Sequence, residues 1–215
     1  MKLRYRVIAA CGLFVLAQAS SYAIASGKVP AAPAPAKVPA LVTSTCSACH
    51  GMTGVSLVPT FPSLAAQGAP YIVKQIRDFQ DKKRADAMAK STMWGIAATI
   101  PKGKTQEIAQ YFSEQKGVPG VPEQKAEVAA GRAIYMGGIA SSTTPACMAC
   151  HGATGLGLPP LFPRLAGQHM AYIVAQLQAF KTKQRTNDPL AIMRTIAGPL
   201  SAKQMTALAA FIRTL

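Results

Sequence analysis

The chain contains an internal repeat, and this repeat limits the folds that it can adopt. CSACHG (46–51), PTFPSLAAQ (59–67) and YIVKQIRDF (71–79) each return 101 residues later, as CMACHG, PLFPRLAGQ and YIVAQLQAF. A later pair, IAQYF (108–112) and LAAFI (208–212), is offset by 100 residues, so one residue is lost in between. A duplication of this length makes each half one structural unit, and the two units should carry sites of the same kind.

Apolar side chains recur at helical spacing in both halves. Ile72 and Phe79 share one helical stripe with Gln75, and Ser201 with Gln204 fits a capping box before the last apolar stripe. No segment sustains the period-two alternation of a strand, and Gly and Pro follow each cysteine cluster. The sequence therefore predicts an all-α fold of small helices joined by long loops, which need a large group to pack on.

The segment Cys-x-x-Cys-His, which occurs once in each half, is the attachment signature of c-type haem. Its spacing lets both thiols reach the two vinyl groups of one porphyrin, while the histidine supplies an axial ligand to the iron. The residues of the two motifs are Cys46, Cys49, His50, Cys147, Cys150 and His151. The chain is therefore predicted to bind two haem c groups covalently, one in each half.

Two other kinds of site use closely spaced cysteines. A four-thiolate zinc site would need both pairs together, although they lie 101 residues apart and each is followed by its own histidine. A thiol-disulfide oxidoreductase places its pair at a strand-to-helix junction of a βαβ unit, and the sequence shows no such unit. The pattern favours haem attachment over both alternatives.

The second axial ligand has to come from elsewhere in each half. Beyond the motif histidines only His169 remains, and the matching position is Gly68, so a pair of distal histidines is excluded. Methionine is suitable because its soft thioether stabilises ferrous iron. At the offset of 100, Met193 matches Met93, and both precede the last helix of their half. We predict these two as iron ligands, with Met88 as the alternative in the first half.

Residues near these ligands admit more than one role. Pro59 and Pro160, or Pro62 and Pro163, can accept a hydrogen bond from the Nδ1 atoms of the motif histidines. Trp94 is predicted either to pack on the first haem or to fill the core, and His169 to be a surface or packing residue. The basic residues of the methionine loops are Lys82, Lys83, Arg84, Lys90, Lys181, Lys183, Arg185 and Arg194. They are interpreted as solvated faces that can surround exposed haem edges.

The N-terminus has the pattern of a secretory signal peptide. A basic start precedes a short apolar run and small residues at Ala23 and Ala25, and the run falls short of the roughly 20 residues of a membrane span. An uncleaved anchor is the alternative. The predicted divisions are a signal peptide at 1–25, a Pro/Ala-rich tether at 26–39, a first domain at 40–116, a linker at 117–123 and a second domain at 124–215.

The chain is strongly basic, with a net charge of +15. Removal of residues 1–25 would take away Lys2, Arg4 and Arg6 and no acid, which leaves 20 basic and eight acidic residues, a balance of +12. Nucleic acid is not expected as a partner, because the chain is predicted to be exported and has no arginine run interleaved with aromatics. We expect a redox protein with an acidic docking face, or peripheral contact with an anionic membrane.

The repeated CxxCHG, P-x-FP-x-LA-x-Q and Tyr-x-x-x-Gln segments, with a methionine before each last helix, resemble the dihaem cytochrome c4 family. The likeness covers nearly all of the chain after the tether. It implies two class I cytochrome c domains in tandem, related by pseudo-twofold symmetry, with the haem propionate edges near the interface. It assigns to one haem Cys46, Cys49, His50 and Met93, and to the other Cys147, Cys150, His151 and Met193.

The resemblance also implies a function. A periplasmic protein of this kind would transfer single electrons from a respiratory donor to a membrane haem-copper terminal oxidase. The alternative is the electron-accepting subunit of an exported dehydrogenase, such as a flavocytochrome c that oxidises sulfide. A dihaem peroxidase or thiosulfate dehydrogenase is disfavoured, because such enzymes need an open or unusually ligated iron and the chain has no spare cysteine after residue 25.

The two halves differ at their starts. The second half has a leading helix, Glu127 to Tyr135, in which Gly131 would let two backbones approach closely. The first half has only Ala40 to Thr45 in this place. We therefore expect the first domain to be less well braced. The sequence leaves open which half has the higher reduction potential.

Overall fold

Both halves of the chain consist of short helices joined by loops. The computed structural model describes residues 37–117, 120–121 and 125–215. The helices of the first half are α1 (Ser47–His50), α2 (Ala69–Gln80), α3 (Trp94–Ala98) and α4 (Thr105–Ser113). Those of the second half are α5 (Lys125–Gly137), α6 (Met148–His151), α7 (Met170–Lys181), α8 (Ile192–Ala197) and α9 (Ala202–Thr214). Shorter turns are π-helical at Val42–Cys46 and Ala89–Met93, and 3₁₀ at Lys102–Lys104, Ala140–Ser142 and Pro189–Ala191.

Strand pairing is almost absent from the described ranges. It is limited there to two isolated antiparallel bridges, Ile139 with Thr144 and Leu158 with Phe162. The prediction of an all-α fold is therefore confirmed. Both halves belong to one compact unit, so side chains of one half can contact those of the other.

Three predicted segments fall wholly or partly on residues that are not described. They are the signal peptide at 1–25, most of the tether at 26–39 and part of the linker at 117–123. Within the described part of the chain, every helix is too short or too polar to cross a membrane.

The last helix of each half begins differently. At the start of α9 the Ser201 hydroxyl accepts a hydrogen bond from the Gln204 backbone N–H at 3.2 Å, and the Gln204 side chain accepts one from the Ser201 N–H at 2.8 Å. The predicted capping box is therefore present. In the first half, the turn Lys102–Lys104 leads directly into α4, which has no side-chain cap. Capping of this kind satisfies backbone donors that a helix start otherwise leaves unpaired.

The chain reverses in the same way after α2 and after α7. Lys82 and Lys183 adopt left-handed backbone conformations, with φ of 57° and 59°. This turn brings the Arg84 N–H to the Asp78 carbonyl at 3.0 Å, and the equivalent Arg185 N–H also finds a helix carbonyl at 3.0 Å. Each arginine is thereby directed back over the helix that precedes it.

Helix α5 crosses α9 at a point where only glycine fits. A Cβ atom on Gly131 would lie 1.9 Å from the Ala207 carbonyl oxygen and 2.9 Å from the Phe211 Cβ. The fully buried Tyr135 of the same helix packs on Phe211, with ring centroids 5.3 Å apart. The predicted leading helix is thus present and somewhat longer than expected. The first half has the short π turn Val42–Cys46 where the second half has this crossing.

The change of offset from 101 to 100 has a structural counterpart. The segment before α3 contains the π turn Ala89–Met93, whereas the segment before α8 contains the 3₁₀ turn Pro189–Ala191. A π turn accommodates one more residue than an α turn, so it absorbs the extra residue of the first half. In the second half this connection is one residue shorter, and its residues Leu190 and Ala191 adopt left-handed conformations, with φ of 53° and 58°.

Candidate functional site

A single cavity of about 330 Å³ runs between the two halves. Its wall is mainly apolar, which is typical of pockets that hold an organic cofactor. All eight predicted site residues line it: Cys46, Cys49, His50, Met93, Cys147, Cys150, His151 and Met193. The structure therefore brings both Cys-x-x-Cys-His motifs and both predicted methionines to the same space.

The two motif histidines are held in equivalent orientations. His50 Nδ1 lies 2.8 Å from the Pro62 carbonyl oxygen, and His151 Nδ1 lies 2.9 Å from that of Pro163. Of the two proline pairs that the sequence offers, the structure selects these. A carbonyl oxygen can only accept, so each Nδ1 carries the proton and each Nε2 has a free lone pair.

Burial favours the neutral form of both rings. It lowers the pKa of His50 and of His151, while the hydrogen bonds to the proline carbonyls act in the opposite direction and are outweighed. A neutral imidazole with Nε2 unprotonated is the form that coordinates iron. The orientation and the protonation state of both histidines therefore suit coordination of iron.

None of the four motif cysteines forms a disulfide, so all four sulfurs are available for thioether bonds to haem. Before such attachment, burial raises the pKa of the Cys46 and Cys147 thiols to about 11. Among the described residues, no group of three or more His, Cys, Asp or Glu side chains has the arrangement of a metal site. A four-thiolate zinc cage is thus not assembled in this part of the chain.

Both methionines proposed for the first half border the cavity. Met88 and Met93 are half-buried, and Met193 is half-buried at the equivalent place in the second half. Trp94 is not part of the cavity wall. Its indole packs beside Met93 and donates a hydrogen bond to the Arg84 carbonyl at 2.7 Å, so it has a core role.

The repeated glutamines of the PxFPxLAxQ segments join the two halves. The Gln67 amide accepts from the Arg164 N–H and donates to the Arg164 carbonyl, both at 2.9 Å. The Gln168 amide makes the same two contacts with Ser63, both at 3.0 Å. His169 adds a contact without an equivalent, from Nε2 to the Ser56 carbonyl at 2.9 Å, and is thus a packing residue as predicted.

Two arginines lie buried between the halves, where the sequence predicts solvated faces. Arg84 and Arg185 are each 5% exposed, so this prediction is wrong for them. It is correct for Lys82, Lys83, Lys90, Lys181 and Lys183, which are exposed, and Arg194 is half-buried. The difference arises because a lysine in a left-handed conformation, two residues before each buried arginine, turns the chain so that the arginine points inward. Arg84 then lies over Phe79, and Arg185 lies over Phe180.

The buried arginines share their partners across the interface. Arg84 donates to Gln75 of its own half at 2.9 Å, and to the Gln176 amide oxygen and the Tyr172 hydroxyl of the other half at 2.9 and 3.1 Å. Arg185 donates to Gln176 at 2.7 Å, and to Gln75 and the Tyr71 hydroxyl, both at 3.0 Å. The repeated Tyr-x-x-x-Gln segments thus form a symmetric site that binds two guanidinium groups.

The positive charge of the two guanidinium groups in this site is not fully balanced by the described residues. Arg84 pairs with Asp86 at 2.8 Å, whereas the Nε of Arg185 donates to the neutral Asn187 at 3.0 Å. No described carboxylate forms an ion pair with Arg185. Burial of an unpaired guanidinium is unfavourable, so a further anion would stabilise this site. A haem group carries two carboxylates as well as an apolar ring, and this cavity fits both.

Comparison with known proteins places these features in a family. The cytochrome c family model matches residues 128–215. Cytochrome c4 of Pseudomonas aeruginosa is 38% identical over 174 residues, which are 80% of this chain and 84% of that protein. The structure of cytochrome c4 from Acidithiobacillus ferrooxidans matches with a TM-score of 0.73 at 38% identity, and covers 79% of this chain and 98% of that one.

A relative with a more specific name also matches. The thiosulfate dehydrogenase electron acceptor of Thiomonas intermedia is 34% identical over 172 residues, which are 79% of this chain and 77% of that protein. The similarity to the cytochromes c4 is higher and extends over most of both chains. The chain accordingly belongs to the cytochrome c4 family, and it is an electron carrier with two covalently bound haem c groups.

Proposed function

We propose that the chain is a periplasmic carrier that takes single electrons from a respiratory donor and delivers them to a membrane haem-copper terminal oxidase. The observation that carries this proposal is the shared cavity, which both Cys-x-x-Cys-His motifs line. Two haems held in one cavity would lie near each other, as transfer of electrons between them requires. Residues 40–116 would form the domain of the first haem, and residues 124–215 would form the domain of the second.

Each half would hold its haem with four side chains. Cys46 and Cys49, with Cys147 and Cys150 in the second half, would be the points of covalent attachment. The proposed axial ligands are His50, Met93, His151 and Met193. Bound haem supplies an iron that alternates between the ferric and ferrous states. The apolar wall would exclude water, and the proline carbonyls would keep each imidazole oriented in both states.

The proposed location follows from the first 25 residues. Their basic start, short apolar run and small residues fit export by a signal peptide, and covalent haem attachment to reduced thiols takes place outside the cytoplasm. The tether at 26–39 would then lead the mature protein, and its Pro and Ala content suits an extended segment.

Transfer to the oxidase is expected to slow as salt is added. Lys82, Lys83, Lys181 and Lys183 are exposed on the segments of the chain that lead to the proposed methionine ligands, and the mature chain would carry +12. Steering toward an acidic partner should make the second-order rate fall by about tenfold or more from low to high ionic strength. Stopped-flow oxidation of the reduced protein by purified oxidase measures this rate. A neutral hydroquinone as reductant is the control, and salt-independent oxidation by the oxidase would contradict the steering.

An alternative function is supported by relatives with a more specific name. The similarity to a thiosulfate dehydrogenase electron acceptor favours a role as the electron-accepting partner of an exported dehydrogenase. A flavocytochrome c that oxidises sulfide would be another dehydrogenase of this kind. The stopped-flow experiment separates the functions when such a dehydrogenase is offered as donor. Fast reduction by the dehydrogenase together with slow oxidation by the oxidase would favour the alternative.

A further inference from the structure

The segment that leads to Met193 is held in a strained conformation. Leu190 and Ala191 are consecutive, and both have left-handed backbones, with φ of 53° and 58°. Residues with a Cβ atom rarely adopt this conformation, because the Cβ approaches the following carbonyl oxygen. The Leu190 side chain is 94% exposed, so its packing does not compensate for the strain. Other contacts must therefore hold this segment in place.

Asp188 closes the strained segment into a loop. One carboxylate oxygen accepts a hydrogen bond from the Arg194 backbone N–H at 3.0 Å, and the other accepts one from the Arg194 Nε at 2.8 Å. The Asp188 side chain is 4% exposed, so this two-point contact is expected to be stronger than a surface ion pair. Met193 lies directly before Arg194, so the contact fixes the end of the loop to which the thioether is attached.

The start of the loop is anchored to the first half. The Asn187 amide donates a hydrogen bond to Asp78 at 2.6 Å, and the Asn187 carbonyl accepts one from Lys74 Nζ at 2.8 Å. Asp188 follows this anchor directly in the chain, so relaxation is expected at the other end of the loop. Loss of the contact that closes the loop would let its strained residues relax, and the attached thioether would move with them.

The first half holds the equivalent segment without such a contact. Ala87 and Trp94 occupy the positions of Asp188 and Arg194, at offsets of 101 and 100 residues, and neither side chain can form an ion pair. The Trp94 indole donates instead to a backbone carbonyl of its own half at 2.7 Å. The residues between them are free of left-handed conformations. Of these two equivalent segments, that of the second half alone is strained and closed by an ion pair.

We propose that Asp188 is the positioning residue of Met193 and thereby keeps external ligands off the iron of the second half. With the loop closed, the thioether occupies the sixth coordination position. With the loop open, a small neutral ligand such as imidazole would replace it. The nitrogen lone pair forms the new bond to iron as the iron–sulfur bond breaks, and no electron is transferred. The inference rests on the proposed ligation by Met193 and adds what holds that ligand in place.

The test is Asp188→Ala in the ferric holoprotein, with imidazole as the external ligand. Because two hydrogen bonds between charged groups are lost, imidazole should replace the methionine of the second half about tenfold faster or more. Stopped-flow absorbance of the near-red methionine band measures the rate, and NMR of the haem methyl signals assigns it to one half. Asp188→Asn retains an acceptor oxygen and should give an intermediate rate. This second variant decides the question if the alanine variant yields no holoprotein.

Two further variants make the result specific. Leu190→Gly with Ala191→Gly, added to Asp188→Ala, should return the rate toward that of the parent protein. Glycine adopts left-handed conformations readily, so this combination removes the strain that opens the loop. Asp81→Ala breaks an exposed ion pair with Lys83 in the first half and should leave the parent rate unchanged.

Three results would overturn the inference. They are an unchanged rate in Asp188→Ala, an equal increase at the haem of the first half, and a rate that the two glycines leave as fast. The carrier function fails separately, because it requires the methionine band of both halves in the parent protein. A parent protein with both bands and reversible reduction of both haems would still support that function if the rate in Asp188→Ala were unchanged.

Discussion

Met193→Ala is expected to lower the reduction potential of one haem by about 0.1 V or more, while both haems stay covalently attached. The thioether of methionine stabilises ferrous iron, so its loss favours the ferric state. Attachment should persist because Cys147 and Cys150 are unaffected. Redox titration measures the potential, and the weak near-red absorption band of methionine sulfur on ferric iron should lose half of its intensity.

Met88→Ala is the matched control for this experiment. Met88 borders the same cavity, but its position corresponds to Pro189 in the second half, whereas Met93 corresponds to Met193. The band should therefore remain in Met88→Ala and be halved in Met93→Ala. Retention of both midpoints in Met193→Ala would show that this residue is not a ligand. Loss of the band in Met88→Ala would transfer the first-half assignment to Met88.

Gly131→Ala is expected to reduce the free energy of unfolding by about 3 kcal/mol, because the added methyl group overfills a helix crossing. The new Cβ would lie 1.9 Å from a backbone carbonyl oxygen of α9, and no rotation of a side chain can relieve that contact. Helices α5 and α9 would have to separate, and the contact between Tyr135 and Phe211 would weaken. Denaturant unfolding followed by circular dichroism measures the change.

Gly137→Ala provides the comparison within the same helix. A Cβ at this position meets no atom within 4 Å, and alanine has a higher helix propensity than glycine. This variant should be as stable as the parent protein or more stable. Equal unfolding midpoints for the two variants would mean that the close approach of α5 and α9 does not contribute to stability as described.

Local sequence signals were sufficient for much of the fold. The capping box at Ser201 and the leading helix around Gly131 depend on neighbouring residues in the chain, and both are present in the structure. The choice between Pro59 and Pro62 as partner of His50 could not be made in this way. Both prolines lie in the same loop, and only its path in three dimensions decides which carbonyl reaches the ring.

The buried arginines show where reasoning from one segment fails. Arg84 and Arg185 lie in basic loops, and their burial results from the packing of one half on the other, which no local pattern reports. A signal was nevertheless present, because Gln75 and Gln176 place a polar group on an otherwise apolar helical stripe. A buried amide requires a partner, and a partner from the opposite half is the arrangement that duplication makes available.

The most direct test of two closed, methionine-ligated haems is the visible and near-red spectrum of the exported, air-oxidised protein, with haem counted per chain. We expect two haems per chain and a near-red band with the intensity of two methionine-ligated ferric irons. One haem per chain, a missing band or a high-spin signal would contradict the proposed carrier, because an iron with an open position is typical of an enzyme.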